Sequence, residues 1–350
     1  MGKTYFRPAG LVYGADARRL MDENRAGPLG GHPSLGYTQV EVIRRSGADV
    51  MRRFESYSDI RGEALCGAIE APRTAAGLST FDRPLVMGIV NVTPDSFSDG
   101  GQTADTGRAI AHGLQLAREG ADLLDIGGES TRPGSEGVDL DEELSRVIPV
   151  IEGLARSGQV VSCDTRKASV MRAALAAGAA IINDVSALQH DPGSLAAMAE
   201  AECPVILMHA QGDPKTMQLS PVYADVALDV YDALEARIET CIAAGISRQR
   251  LIADPGIGFG KSFRHNLDLL RQFTIFHGLD VPLLMGLSRK GFIGALTGEK
   301  VAGERLHGSV GGALWAALNG AQILRVHDVK ATVEALAVGL ASADPETSGL

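Results

Sequence analysis

The feature that most constrains this chain is a rhythm that begins near Leu85, where short, mainly apolar runs alternate with longer stretches of helical periodicity. The runs are Leu85–Val90, Leu123–Ile126, Val160–Cys163, Ile181–Ile182, Val205–Met208, Leu251–Ala253, Leu283–Met285 and Ile323–Val326. Strands of a parallel sheet read this way when helices cover both of its faces. Glu119-Gly120-Ala121, Ala177-Gly178-Ala179 and Asn319-Gly320-Ala321 each stand between a helical stretch and the next run, where glycine suits the left-handed turn that ends a helix. Eight β-then-α units predict a (β/α)8 TIM barrel of the α/β class, with a doubly wound open sheet as the alternative. A length of 350 residues exceeds the roughly 250 of one barrel. The surplus requires an appendage.

That appendage is residues 1–80, which carry eleven basic and nine acidic side chains; the rest of the chain therefore holds more than the whole net charge of −10. Its periodicity is weak, and Gly27-Pro28-Leu29-Gly30-Gly31-His32-Pro33 interrupts it. The reading is an N-terminal extension of unassigned role with little core of its own, a barrel over 81–342 and a C-terminal tail over 343–350. The acidic residues of the extension speak against a mitochondrial transit peptide. A net charge of −10 speaks against nucleic-acid binding by general counterion release, so an anionic ligand must meet a local basic pocket. No apolar run approaches the roughly 18 residues of a membrane span. Met1 to Phe6 lack the apolar stretch of a signal peptide. Cys66, Cys163, Cys203 and Cys241 are scattered without a CxxC pair, which argues against a zinc site or disulfide framework and for a reducing cytoplasm.

Polar residues gather at the C-terminal edge of every run: Asn91, Asp125, Asp164, Asn183 with Asp184, His209, Asp254, Ser288-Arg289-Lys290, and Arg325 with His327. In a barrel these edges form one mouth, where active sites lie. Any one of them is an ordinary helix cap, and Asp191 and Asp328 are expected to be only that. Caps, however, do not call for Lys290, Arg325 and His327. Arg325 and His327 stand two apart on a strand and so share a side, with the arginine a natural fork for an oxyanion. Gly256-Ile257-Gly258-Phe259-Gly260-Lys261 lacks the third glycine of a dinucleotide fingerprint, and Pro255 fills the first glycine position of a phosphate-cradling loop. These glycines instead let the backbone pass close to a flat ligand or a neighbouring loop.

Several separated motifs resemble dihydropteroate synthase: Met87 to Gly101 (MGIVNVTPDSFSDGG), Asp125 to Gly134 (DIGGESTRPG), Ile182-Asn183-Asp184-Val185, Asp254 to Lys261, Ser288-Arg289-Lys290 and Arg325-Val326-His327-Asp328. The resemblance covers roughly residues 82–340, and the departures at Arg166 and Leu287 fall at variable positions. It implies condensation of 6-hydroxymethyl-7,8-dihydropterin diphosphate with p-aminobenzoate, giving 7,8-dihydropteroate and diphosphate in folate synthesis. It places the pterin against Asp164, Asn183, Asp254, Lys290 and Arg325. It gives p-aminobenzoate and diphosphate to Phe97, Thr131, Arg132, Pro133, Phe259, Ser288 and His327, with Asn91 toward a Mg2+ ion. Catalytic roles fall to Asp95, Asp99, Lys290, Arg325 and His327, the first two on a loop that closes over the site in the family. The family also implies a homodimer and sensitivity to sulfonamides; the apolar stretch Gly312 to Leu318 with Trp315 is either an interface or barrel packing. Two other readings stand beside this one. Methyltransferases that pass a methyl group from tetrahydrofolate to a corrinoid protein share the barrel, but need no diphosphate handling. A non-catalytic paralogue acting through its N-terminal segment would not need a complete set of site residues.

Overall fold

The computed structural model describes residues 2–75, 77–78, 83–92, 101–129, 137–212 and 221–347. The N-terminal segment comprises β1 (Lys3–Tyr13), α1 (Gly14–Asp22), β2 (Gly27–Pro28), β3 (Leu35–Ser46), β4 (Asp49–Ser56), α2 (Tyr57–Ile60) and α3 (Ala64–Glu70). β3 pairs antiparallel with β1 on one side and with β2 and β4 on the other. This corrects the expectation of little core. Phe6, Leu29, Leu35, Tyr37, Val40 and Val42 collect with Tyr57 of α2 and with Cys66 and Ile69 of α3 into a separate buried cluster. These residues meet across the sheet from distant parts of the chain, so no local period displays them.

Every apolar run becomes a strand. In chain order the elements are β5 (Leu85–Asn91), α4 (Gly101–Arg118), β6 (Leu123–Gly127), α5 (Leu140–Arg156), β7 (Val161–Asp164), α6 (Ala168–Ala176), β8 (Ile181–Asp184), α7 (Ser194–Glu200), β9 (Val205–Met208), α8 (Val226–Ala243), β10 (Leu251–Asp254), α9 (Phe263–Arg271), β11 (Leu284–Met285), α10 (Gly291–Thr297), α11 (Leu306–Leu318), β12 (Ile323–Val326) and α12 (Val329–Ala343). The strands pair in parallel in the order β10-β9-β8-β7-β6-β5-β12-β11. A parallel bridge between Ala253 and Leu283 brings the two ends together, which makes a barrel and excludes the open sheet. Gly120, Gly178 and Gly320, at the ends of α4, α6 and α11, have φ of 104°, 104° and 83°, the left-handed turn expected of them.

Strand alternation separates two cores. Leu85, Met87, Leu123, Ile181, Ile206, Ile252, Leu284 and Ile323 fill the barrel interior, while their neighbours Val86, Leu124, Ile182, Val205, Leu251 and Leu324 pack outward beneath the helices. Ala75 joins the inner cluster and Leu78 packs on it, so the segment leaving the N-terminal sheet closes the barrel floor. The sheet also binds the barrel flank by charge. Lys3 pairs with Asp232 and Glu235, Arg45 with Asp229, and Arg52 with Asp225, all four acids lying on or beside α8. The basic surplus of the extension thus meets the acidic surplus of the barrel. At the floor, Arg73 reaches Asp280 (2.7 Å) and the His277 carbonyl (2.6 Å), and at the C-terminal end Arg18 forks onto Asp344.

Candidate active site

The inward parity that fills the barrel with Met87, Leu123, Ile181, Ile252 and Ile323 places Ile89, Asp125, Asn183, Asp254 and Arg325 one step higher, with Asp164 beside them on β7. A polar layer therefore rests directly on an apolar one at the C-terminal mouth. Arg325 is its centre. Its Nε donates to Asp125 Oδ2 at 2.6 Å and its Nη2 to Asp164 Oδ2 at 2.8 Å. Asn183 Nδ2 donates to the same Asp125 oxygen at 3.0 Å. Asp125 is fully buried, and its other oxygen, Oδ1, has no partner among the described residues. A bond from Nδ2 to Asp125 leaves the Asn183 amide oxygen as the acceptor toward a ligand.

Asp254 accepts the Gly256 backbone N–H at 2.7 Å, and it faces Lys290, Lys261 and Arg325. Gly286 lies between Arg325 and Asp254: a side chain there would come within 4 Å of both. The Lys290 ammonium donates to the Ile257 carbonyl and stands 4.3 Å from the centre of the Phe259 ring. Asn91 ends β5 next to the same layer, since a side chain at Gly127 would approach both its amide oxygen (3.9 Å) and Asp164 Oδ2 (3.7 Å). His327 closes the rim; its backbone N–H donates to Ser288 Oγ (3.3 Å) and its Nδ1 lies 3.0 Å from the same oxygen.

Burial dominates the electrostatics. It lifts the Asp164 carboxyl to about 7 against the pull of Arg325, and raises that of Asp254 against the pull of Lys290. It lowers Lys290 to about 7, with Asp254 working in the opposite sense. Burial also opposes the charge of Arg325, but the carboxylates of Asp125 and Asp164 outweigh it and its pKa rises. The mouth thus keeps one secure cation among groups poised near neutrality, the setting in which ligand charge decides proton positions.

The loop between the last strand pair is held in an unusual shape. Arg289 has φ of 61°, its N–H bonded to Ser309 Oγ (2.8 Å) and its side chain forked onto Asp328. A non-glycine residue in the left-handed region costs energy and persists where its surroundings enforce it. This corrects the reading of Asp328 as only a cap: α12 has no side-chain cap bond, and the carboxylate anchors the Ser-Arg-Lys loop instead. Asp191 caps a helix other than the one it precedes: α7 has no side-chain cap bond, and the carboxylate accepts from Ala168 N at the start of α6 (2.9 Å) as well as from Gly193 N (2.8 Å). The glycines after β10 pass close to a neighbouring loop, one of the two uses expected of them. Gly256 has φ of 67°, and a side chain there would lie 1.9 Å from the His209 carbonyl oxygen.

A family model described as pterin binding enzyme matches residues 87–327. A dihydropteroate synthase of Neisseria meningitidis serogroup B is 53% identical over 277 residues, covering 77% of this chain and 95% of its own length. The chain belongs to the dihydropteroate synthase family of pterin-binding enzymes. Its fold matches that of the Xanthomonas albilineans dihydropteroate synthase with 4-aminobenzoic acid, at a TM-score of 0.72 and 55% identity, covering 75% of this chain and 94% of that one. The same enzyme in complex with 7,8-dihydropteroate matches at 0.67 and 50% identity, with the same coverage. The family match begins at residue 87, so the N-terminal sheet lies outside it.

Of the residues singled out by sequence, Asn91, Asp164, Asn183, Asp254, Phe259, Ser288, Lys290, Arg325 and His327 line or border this mouth. Asp95, Phe97, Asp99, Thr131, Arg132 and Pro133 lie outside the described residues. Sequence reasoning gave no role to Asp125, although its inward parity with Leu123 marks it as a member of the layer. It also gave none to Lys261, which is buried against His209, because that partner lies on another loop and no local pattern displays it.

Proposed function

We propose that the chain acts as a dihydropteroate synthase, joining 6-hydroxymethyl-7,8-dihydropterin diphosphate to p-aminobenzoate with release of diphosphate. The observation that carries the reading is the polar layer, a set of fixed donors and acceptors for a flat heterocycle with a cation at its edge. The Asp254 carboxylate accepts two parallel N–H bonds from the 2-amino and N3 edge of the pterin. Lys290 and the Asn183 amide oxygen meet the ring's other polar atoms, and Arg325, locked between two carboxylates, lies at the edge with Asp164. Phe259 forms one wall for the aniline, with Phe97, Pro133 and Ser288 completing it.

As the bond to diphosphate lengthens, positive charge builds on the pterin methylene carbon and spreads into the electron-rich ring. Arg325, His327, Thr131 and Arg132 take up the leaving charge, and Asp95 and Asp99 stabilise the cation, so catalysis consists mainly of placing charge and orienting groups. The aniline nitrogen then forms the new C–N bond and gives up a proton. Among the described residues no group of three His, Cys, Asp or Glu side chains is placed to hold a metal. The Asn91 amide oxygen is a hard donor of the kind Mg2+ accepts, and an ion bound chiefly by diphosphate and water needs only one or two such oxygens. When bound, Mg2+ neutralises the diphosphate and makes it a better leaving group.

We place a homodimer contact on the outer face of α11 and α12, where Trp315 and Val338 are exposed at 49% and 69%. No helix among the described residues is long and apolar enough to cross a membrane. Four free thiols fit a reducing cytoplasm. Residues 1–80 and 343–350 are taken as additions to a barrel over 81–342. The test is turnover of the pterin diphosphate and p-aminobenzoate with Mg2+, followed by diphosphate release, and sulfonamides should compete with p-aminobenzoate. Turnover that demands a corrinoid protein and methyltetrahydrofolate instead would overturn this function.

A further inference from the structure

We propose that Lys261 is a positioning residue, a buried clamp that ties the loop after β9 to the loop after β10 and so sets the Phe259 ring against Lys290. The proposal rests on the reading of Phe259 as a wall of the p-aminobenzoate site. Lys261 is only 2% exposed, and its Nζ meets three acceptors: the Phe259 carbonyl at 3.0 Å, the His209 carbonyl at 3.2 Å and His209 Nδ1 at 3.0 Å. These three contacts fill the polar surroundings of Nζ, and burial pulls its pKa well below the ordinary lysine range against the opposing charge of Asp254. The contact between Nζ and Nδ1 of the His209 ring forms whichever of the two groups donates, so it ties His209 to Lys261 in either protonation state. Burial, followed by the nearby Lys261, holds that ring neutral, with a pKa of about 3.

The clamp is needed because the loop has little rigidity of its own. Gly256, Gly258 and Gly260 all have φ between 60° and 83°, conformations that only glycine adopts freely. Fixed groups hold each remaining stretch of the turn: Asp254 takes the Gly256 N–H, Asn266 Oδ1 takes the Gly258 N–H at 2.6 Å, Lys290 holds the Ile257 carbonyl, and Tyr223 OH holds the Gly260 carbonyl at 2.9 Å. At Phe259 itself the side-chain anchor is Lys261. Its loss would free the backbone that carries the ring while leaving the pterin layer of Asp125, Asp164, Asn183 and Arg325 intact.

The test is a double-mutant cycle in the full chain with Lys261→Met and Phe259→Leu. Lys261→Met should raise KM for p-aminobenzoate about tenfold, with kcat and the pterin dissociation constant changed less than about twofold. Because Lys261 acts through Phe259, the double variant should have the KM of Phe259→Leu alone. Independent, multiplying effects, or an equal loss of pterin and p-aminobenzoate binding, would overturn the clamp. Should Lys261→Met fail to fold by circular dichroism, His209→Leu, which removes one anchor, replaces it in the same cycle and is read by the same outcomes. A folded wild-type chain without turnover sinks the functional reading instead. The crystal structure of Lys261→Met then decides the clamp by whether the Phe259 ring keeps its place against Lys290.

Discussion

Replacing Arg325 with methionine separates the structural from the chemical work of the polar layer, and its cost can be worked from the contacts. The guanidinium is the cation bonded to both Asp125, fully buried, and Asp164, 8% exposed. Removing one partner of a buried ion pair typically costs about 3–5 kcal/mol, because the remaining charge is stranded. The loss depends on pH with a definite sign. The folded pKa of Asp164 is raised, to about 7, so its contribution to stability is fully present below its unfolded value and is lost as pH rises through 7. Arg325 limits that loss by favouring the carboxylate, and without it the pKa of Asp164 climbs further. At pH 8 the variant must either protonate Asp164 or bury its charge unpaired, whereas at pH 5.5 Asp164 is protonated in both proteins. Thermal melts should therefore show a fall in Tm of about 5 °C at pH 8 and a clearly smaller one at pH 5.5. An equal fall at both values, or none at pH 8, would refute the account of Asp164 as a carboxylate held ionised by Arg325.

Asp254→Ala should leave a folded barrel but weaken pterin binding about a hundredfold in calorimetry, the worth of two charge-assisted hydrogen bonds. In the wild type the same affinity should decline on acidification at a higher pH than an ordinary carboxylate would give, because burial raises the pKa of Asp254. Arg73→Met removes bonds to Asp280 and to the carbonyls of Ala68 and His277, and should cost about 2–4 kcal/mol in denaturant melts. Faster proteolytic release of the N-terminal sheet should accompany that loss, with turnover at low temperature little changed. On the proposed homodimer contact the wild-type chain should sediment as a dimer and Trp315→Glu as a monomer, and an unchanged mass would refute that contact.

Local pattern made much of this protein legible. A buried parallel strand must be apolar on both faces, so eight apolar runs marked the eight barrel strands, and the observed strands extend several of the runs by only one or two polar residues. Of those added residues Asn91, Asp164, Asn183 and Asp254 reach the mouth, beside Asp125 and Arg325 of the runs themselves, because a strand end is where a side chain can leave the core while the backbone stays paired. The N-terminal region was opaque for the opposite reason. Its core joins Phe6 to Val42 across a sheet and to Ile69 on a helix, and its hold on the barrel comes from charges on α8 far along the chain.

By itself, then, the sequence determined the barrel, the side on which its site opens and most of the residues there, since each follows from the two-residue period of a strand. Only the tertiary structure decided how those residues are used. It made Asp125 the shared acceptor of Arg325 and Asn183, turned Asp328 from a cap into the anchor of Arg289, and buried Lys261 against His209 and the Phe259 carbonyl. Each of these is a pairing between loops or strands remote in sequence. A charged or polar group out of water must find a partner, and which partner lies within reach is settled by the closure of the barrel rather than by any neighbour along the chain.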